Sequence, residues 1–142
     1  MPHSGTCLCG RCKIHLTSTH HEQIICHCWD CKRNTGSAFS ANVLAPTSEV
    51  EIEGPTKTYD FVAHTGNPVS VIFCDICGTC LSRKSDTFGE YQAVQTGIFK
   101  DFAGVPITSE LFVDERWLGL PAIGGAHQCR ALHELNELSS RQ

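Results

Sequence analysis

The sequence has no run of Lys or Arg, and its 142 residues carry a formal net charge of −4. A protein that works on nucleic acid or an anionic membrane needs clustered positive charge to replace counterions, so neither partner is expected. No stretch approaches the ~18 consecutive apolar residues of a membrane-spanning helix. The opening residues, Met1-Pro2-His3-Ser4-Gly5, have neither the basic nor the apolar region of a secretory signal, and a cytoplasmic setting is expected. Internal repeats, low-complexity segments and linkers are lacking too. The length then suits one domain over residues 1–142, with a core over about 4–120 and a partly helical extension at 121–142.

What the chain has in excess is cysteine, ten residues in all. In a secreted chain this would read as a disulfide framework. In a reducing compartment, cysteines two and three residues apart read instead as metal ligands. They fall into three clusters: Cys7-Leu8-Cys9-Gly10-Arg11-Cys12, Cys26-His27-Cys28-Trp29-Asp30-Cys31 and Cys74-Asp75-Ile76-Cys77-Gly78-Thr79-Cys80, with Cys129 alone.

Between the clusters the pattern is that of short strands. Residues 49–53 alternate strictly and turn Val50 and Ile52 inward, and Lys13 to Thr17 alternates as well. Val69 to Phe73 is a more continuous apolar run, as in a buried strand, and Tyr91–Thr96 and Glu110–Val113 read as further strands. Gly54-Pro55 and Gly66-Asn67-Pro68 mark turns. Helical residues at helical spacing occur only in the tail, Ala131 to Leu138. The pattern predicts a mainly β domain.

Zinc takes four ligands at tetrahedral corners. A knuckle of two close cysteines supplies two corners, and two knuckles from distant parts of the chain complete a site. Cys74-x-x-Cys77-Gly78 is such a knuckle, and Gly78 suits the positive φ of its turn. Its partner is expected in the first cluster, where both Cys7/Cys9 and Cys9/Cys12 offer a pair. The second cluster differs, since Cys26, Cys28 and Cys31 have no fourth ligand at knuckle spacing. Three protein ligands and one open position is the arrangement of a catalytic zinc. Three thiolates make a soft site that suits a sulfur ligand, and a bound thiol would lose its proton and become a nucleophile. The competing reading is a second structural zinc, closed from afar by Cys12, Cys80, Cys129 or a histidine.

Three further stretches complete a pattern. Gly5-Thr6-Cys7-Leu8-Cys9-Gly10, Cys26-His27-Cys28-Trp29-Asp30-Cys31, Thr35-Gly36-Ser37-Ala38-Phe39-Ser40, Phe73-Cys74-Asp75-Ile76-Cys77-Gly78 and Phe112-Val113 with Trp117 follow in order over about residues 4–120. In this the chain resembles the glutathione-dependent formaldehyde-activating enzymes, whose domain also occurs in the centromere protein V group. The resemblance implies an Mss4-like, tent-shaped β fold. It implies a structural zinc on Cys7, Cys9, Cys74 and Cys77 and a catalytic zinc on Cys26, Cys28 and Cys31. The family reaction joins glutathione and formaldehyde into S-hydroxymethylglutathione, which makes the class a carbon–sulfur lyase with a small-molecule substrate. Cys12 and Cys80 stand outside the family pattern.

Around the second cluster, Arg33, Thr35, Ser37 and His64 are the substrate-binding candidates. Lys32 and Arg33 offer charge to the carboxylates of glutathione, with a solvated basic pair as the plain alternative. Thr35 and Ser37 either orient the site or shape a turn. Asp30 reads as a cap of the turn or a partner of a metal-bound group, and His27 as outward-facing or behind the ligands. The other histidines show no ligand spacing. Three functions remain: the lyase, an enzyme of the same fold acting on a different small biosynthetic substrate, and a non-catalytic zinc-stabilised binding module.

Overall fold

Short alternating strands bury only one face each, so they must pair and then stack on a second layer. The structure, a computed structural model, describes residues 2–140. In chain order the strands are β1 (His3–Thr6), β2 (Lys13–Leu16), β3 (Gln23–Cys26), β4 (Ser40–Pro46), β5 (Val50–Glu53), β6 (Thr56–Val62) and β7 (Pro68–Cys74). They continue with β8 (Cys80–Ser85), β9 (Tyr91–Gln95), β10 (Ile107–Leu111) and β11 (His127–Cys129), and the helices are α1 (Trp29–Thr35) and α2 (Leu132–Ser140). A three-stranded sheet has the order β1-β2-β5, and an eight-stranded sheet the order β11-β10-β3-β4-β9-β8-β7-β6. β10 runs parallel to both β3 and β11, and the remaining pairs are antiparallel. The single mainly β domain expected from the sequence is what forms.

Side chains alternate across a strand, so the large sheet has two different faces. One carries Val43, Ala45, Leu81 and Val94, which pack with Ile14 and Leu16 of the small sheet and with Phe99 and Phe102. The in-between residues Asn42, Leu44, Arg83, Ser85 and Ala93 line a cavity on the opposite face. A second cluster of buried residues lies on that side: Ile24, Leu111 and Cys129 with Cys26, Cys28 and Cys31. Leu132, Leu135 and Leu138 of α2 pack against it.

Four of the expected strands are found with changes of one residue at their ends, while the one expected over Glu110–Val113 is displaced and begins at Ile107. β10 stops at Leu111 rather than Val113, because Phe112 takes a left-handed conformation (φ 55°) and a 3₁₀ turn follows over Val113–Glu115. The helix expected in the tail is α2, but it is not the only one. Within the second cysteine cluster α1 spans seven residues, too few for helical spacing to show in the sequence. Its ends explain it: Cys28 caps the start through Sγ, which accepts the Cys31 N–H at 3.3 Å, and Gly36 ends it by donating its N–H to the Lys32 carbonyl at 2.8 Å. Among the described residues no helix is long and apolar enough to cross a membrane.

The turn at Gly54 ties the end of β5 to the first cysteine loop. Its φ is +106°, and a Cβ there would lie 2.2 Å from the Arg11 carbonyl oxygen and 2.9 Å from the Cys12 Cα. Backbone cannot yield as a side-chain tip can. Gly54→Ala is therefore expected to destabilise the domain by ~3 kcal/mol or more, read as a lower urea midpoint at unchanged slope.

Candidate metal centres

In the first centre β1 leads into Cys7 and Cys9, and β7 ends at Cys74 with Cys77 in the following turn. All four sulfurs lie within 4.8 Å of one another. Cys7 and Cys9 Sγ are 3.5 Å apart, and Cys9 and Cys74 Sγ 3.8 Å. A tetrahedron with ~2.3 Å metal–sulfur arms has edges of ~3.8 Å, so the donor set fits a zinc ion. Backbone amides support the sulfurs: the Cys12 N–H donates to Cys7 Sγ at 3.2 Å and the Cys77 N–H to Cys74 Sγ at 3.5 Å. Gly78 takes the expected positive φ, +78°, and donates to the Cys74 carbonyl at 2.9 Å. The pair that meets Cys74 and Cys77 is thus Cys7/Cys9. Cys12 is fully buried, and its thiol donates to the Pro55 carbonyl at 3.4 Å.

The second centre is built by the end of β3 and the start of α1. Cys26, Cys28 and Cys31 bring their sulfurs within 4.8 Å of one another, and among the described residues no fourth His, Cys, Asp or Glu ligand joins them. The distant candidates for closing the set are engaged elsewhere. Cys12 sits at Pro55, Cys80 donates to Asn34 Oδ1 at 3.5 Å, and Cys129 is packed in the apolar cluster. Hydrogen bonds from Cys26 and Cys28 hold the Cys31 thiol far below its ordinary range, at about 2, and the Arg83 guanidinium adds to the effect. The same sharing pushes Cys26 well up, through Cys28 and Cys31 and through burial. Three sulfurs gathered within 4.8 Å of one another could serve as three donors to one cation.

These cysteines stand in the wall of a cavity of about 440 Å³. Arg83 enters from β8, buried, and donates to Cys31 Sγ at 2.9 Å, to Ser40 Oγ at 3.1 Å and to Asn42 Oδ1 at 2.6 Å. Asp30 also lines the cavity; its carboxylate accepts the His64 backbone N–H and the His64 ring Nδ1, each at 2.8 Å, and Arg33 at 2.6 Å. Burial opposes the charge on Asp30, but these bonds outweigh it and hold the carboxyl below its usual range. His64 Nε2 lies 3.5 Å from Glu115 Oε2. Phe112 is the sole non-glycine residue with positive φ among the described residues, and its ring meets His64 edge-on at 5.9 Å.

Of the predicted substrate-binding set, His64 reaches the cavity. Arg33 lies outside its wall, paired with Asp30 and 5.2 Å over the Trp29 ring. Thr35 Oγ1 donates to the Cys31 carbonyl at 2.8 Å and Ser37 Oγ to the Phe39 carbonyl at 2.9 Å, which is how hydroxyls shape a turn. His27 does not face outward: it is 1% exposed, behind the ligand loop, with Nε2 2.8 Å from Glu110 Oε1. Sequence reading missed Arg83, Asn42 and Glu110; only Asn42, a polar residue in the largely apolar β4, had a local signal, since Arg83 and Glu110 sit in strands rich in Ser, Thr and Lys.

Glu110 is 1% exposed and serves four groups. Oε1 faces His27, while Oε2 accepts the Ile123 N–H at 2.9 Å, Gln128 Nε2 at 2.6 Å and Arg116 at 3.2 Å. Burial works against the carboxylate, but the bonds from Gln128, Ile123 and His27 and the Arg116 charge prevail and bring it to about 2 from an ordinary 4.5. A carboxyl lowered in the folded state stabilises fully above its unfolded value and loses that contribution as pH falls through the folded one. Glu110→Gln is expected to lower stability by ~3–5 kcal/mol at neutral pH, since it strands buried donors. The gap to the parent should close as pH falls from about 4.5 to about 2. Urea unfolding of both proteins across that range measures it.

No curated protein matches the chain. Among solved structures, the crystal structure of a Rhodobacter sphaeroides protein superposes with a TM-score of 0.55 at 23% identity, over 74% of this chain and 99% of that one. That likeness is one of fold. The family model of the glutathione-dependent formaldehyde-activating enzyme matches residues 2–115, a span that holds both cysteine sets and most of the cavity wall. With both cysteine sets gathered as that family's pattern implied, the chain belongs to the glutathione-dependent formaldehyde-activating enzyme family.

Proposed function

We propose that this protein is a zinc-dependent carbon–sulfur lyase that makes or breaks a thiol–aldehyde adduct at Cys26, Cys28 and Cys31. The observation that carries this reading is the contrast between the two cysteine sets. One has four sulfurs and sits beside the core; the other has three, lines a cavity and gains no fourth ligand among the described residues. A closed set suits a structural ion, and an open one leaves room for a ligand. The family description names glutathione and formaldehyde, which points to an enzyme handling small molecules.

Bound at the open set, zinc would supply a Lewis-acid position that favours a thiolate over a thiol. The chain's own groups do the rest. Arg83 sets a fixed positive charge against the sulfur-rich site through Cys31. Asp30 orients the His64 ring through Nδ1 at the cavity wall, Nε2 is the nitrogen we assign to take the proton, and the Glu115 carboxylate 3.5 Å from it would stabilise the ring once protonated. In the breaking direction the carbon–sulfur bond of R–S–CH₂–OH cleaves and its electron pair stays on sulfur. The hydroxyl proton passes to His64 Nε2, and the carbon–oxygen double bond of formaldehyde forms. The proton then returns to sulfur to give the thiol, and no oxidant or reductant is consumed. Leu111, Phe112 and Leu132 give the wall an apolar surface beside the cysteines.

Arg33, Thr35 and Ser37 stay outside this proposed site, because their polar groups are spent on Asp30 and on backbone carbonyls. S-hydroxymethylglutathione is the substrate the family name suggests. A second reading keeps the metal and the chemistry but changes the thiol, and the apolar side chains around the cysteines favour it.

Cys28→Ala is expected to reduce zinc by one equivalent per chain, leave the fold intact and lower turnover by ~100-fold or more. An unchanged rate would sink the lyase and leave a zinc-stabilised binding module. His64→Ala should keep both zinc equivalents and lower kcat by ~10²–10⁴, the range for loss of a general base. Elemental analysis and stopped assays for released formaldehyde read the two separately.

A further inference from the structure

The cavity wall has a composition that the family description does not foresee. Its apolar members include Ile24, Leu44, Phe61, Val69, Leu111 and Leu132. Among the lining residues Arg83 is the single Lys or Arg, and its guanidinium is already divided between Cys31, Ser40 and Asn42. The other charged group close to the cysteines is Asp30, a carboxylate. Arg33, the nearest further cation, is turned to Trp29 and Asp30 outside the wall. Glutathione carries two carboxylates and one ammonium at neutral pH. Carboxylates placed against this wall would meet no free Lys or Arg, only amide, hydroxyl and imidazole groups such as Asn67, Ser85, Thr87 and His133 around an otherwise apolar lining, so their desolvation is poorly offset.

Part of this wall comes from beyond the family match, which ends at residue 115. Ala131, Leu132 and His133 line the cavity, and Leu132 packs on the same cluster as the three cysteines. The segment is held firmly. β11 pairs with β10 in register, Cys129 opposite Leu111. One carboxylate oxygen of Glu110 binds Ile123, Gln128 and Arg116, while the other faces His27 between two of the cysteines. Leu132 is therefore a fixed wall of the site. A space of about 440 Å³ suits a small ligand.

We infer that the cavity selects an uncharged, largely apolar thiol as the carrier of the aldehyde, and that Leu132 is the residue that sets this preference. The inference rests on the open metal site proposed above. Its probes are benzyl mercaptan and glutathione, titrated by calorimetry into the zinc-loaded full-length protein. Benzyl mercaptan is expected to bind at least tenfold more tightly. Leu132→Ala should weaken benzyl mercaptan about tenfold and leave glutathione unchanged, because apolar contact alone is removed. Leu132→Met, which keeps the volume, should restore the parent's preference, and a thermal melt confirms that each variant is folded. Leu132→Arg should narrow the gap between the thiols by at least tenfold. Glutathione binding as tightly as benzyl mercaptan, with both lost in Cys28→Ala, would overturn the selectivity and leave the metal site standing. If neither thiol binds the zinc-loaded protein, the open site falls and this inference with it. Unchanged benzyl mercaptan affinity in Leu132→Ala would remove Leu132 from the role.

Discussion

Four cysteine sulfurs from Cys7, Cys9, Cys74 and Cys77 join the loop after β1 to the turn after β7, and the placing of the rest follows from that junction. It links the three-stranded sheet to the far half of the eight-stranded one. Without an ion, four thiolates this close would repel one another, and four thiols would forgo their best ligand. With an ion, its binding free energy becomes folding free energy, of order 10 kcal/mol for a structural zinc. The junction fixes which face of the large sheet meets the small one. Period-two alternation then decides the other face without further choice: Val43 and Ala45 go to the core, and Asn42 and Leu44 go to the cavity. The structural centre thereby determines where the open one can look.

The open centre is held differently, by burial and by charge. Its loop runs straight from a strand into a short helix whose first cap is Cys28, one of the three gathered cysteines. Arg83 reaches it across the sheet from β8, and Glu110 backs it from β10 through His27. A buried guanidinium is tolerated only with its partners in place, and here the partners are a cysteine sulfur and two polar side chains. Two sets of charged hydrogen bonds thus reach the loop, one from the sheet through Arg83 and one from the C-terminal segment through Glu110 and His27. Phe112 fits the same scheme: its left-handed backbone is unfavourable by ~1–3 kcal/mol for a non-glycine residue and persists where surrounding structure holds it.

Much of this was legible in the sequence, and the limits have physical causes. Cysteine spacing is a local property of the chain, so the two groups of cysteines that the fold gathers could be read from it, as could strands with clear alternation such as β2 and β5. The open choice between Cys7/Cys9 and Cys9/Cys12 could not be settled by spacing, because the fold decides it by spending the Cys12 amide on Cys7 Sγ and its thiol on Pro55. Arg83 lies 52 residues from Cys31 and Glu110 lies 83 from His27, and contacts at such separations leave no local pattern. Nor do the strands themselves mark them: Arg83 stands between Ser82 and Lys84, and Glu110 follows Thr108 and Ser109. Thr35 and Ser37 misled in the opposite way, since the same hydroxyls serve a turn or a substrate and only their partners tell which.

The cysteines that do not belong to either set show why residue type alone could not assign the centres. Cys12 is buried against a carbonyl, and burial pushes its thiol up to about 12. Cys80 and Cys129 are likewise raised by burial, the latter also by the Glu134 charge, so they remain protonated and pack as small apolar groups. Cys77 meets the opposite environment: hydrogen bonds from the Thr79 hydroxyl and backbone bring it down to about 5. What separates the seven gathered cysteines from the other three is position: each of the seven has the sulfurs of its set within 4.8 Å, whereas Cys12 meets the Pro55 carbonyl, Cys80 the Asn34 side chain and Cys129 an apolar cluster.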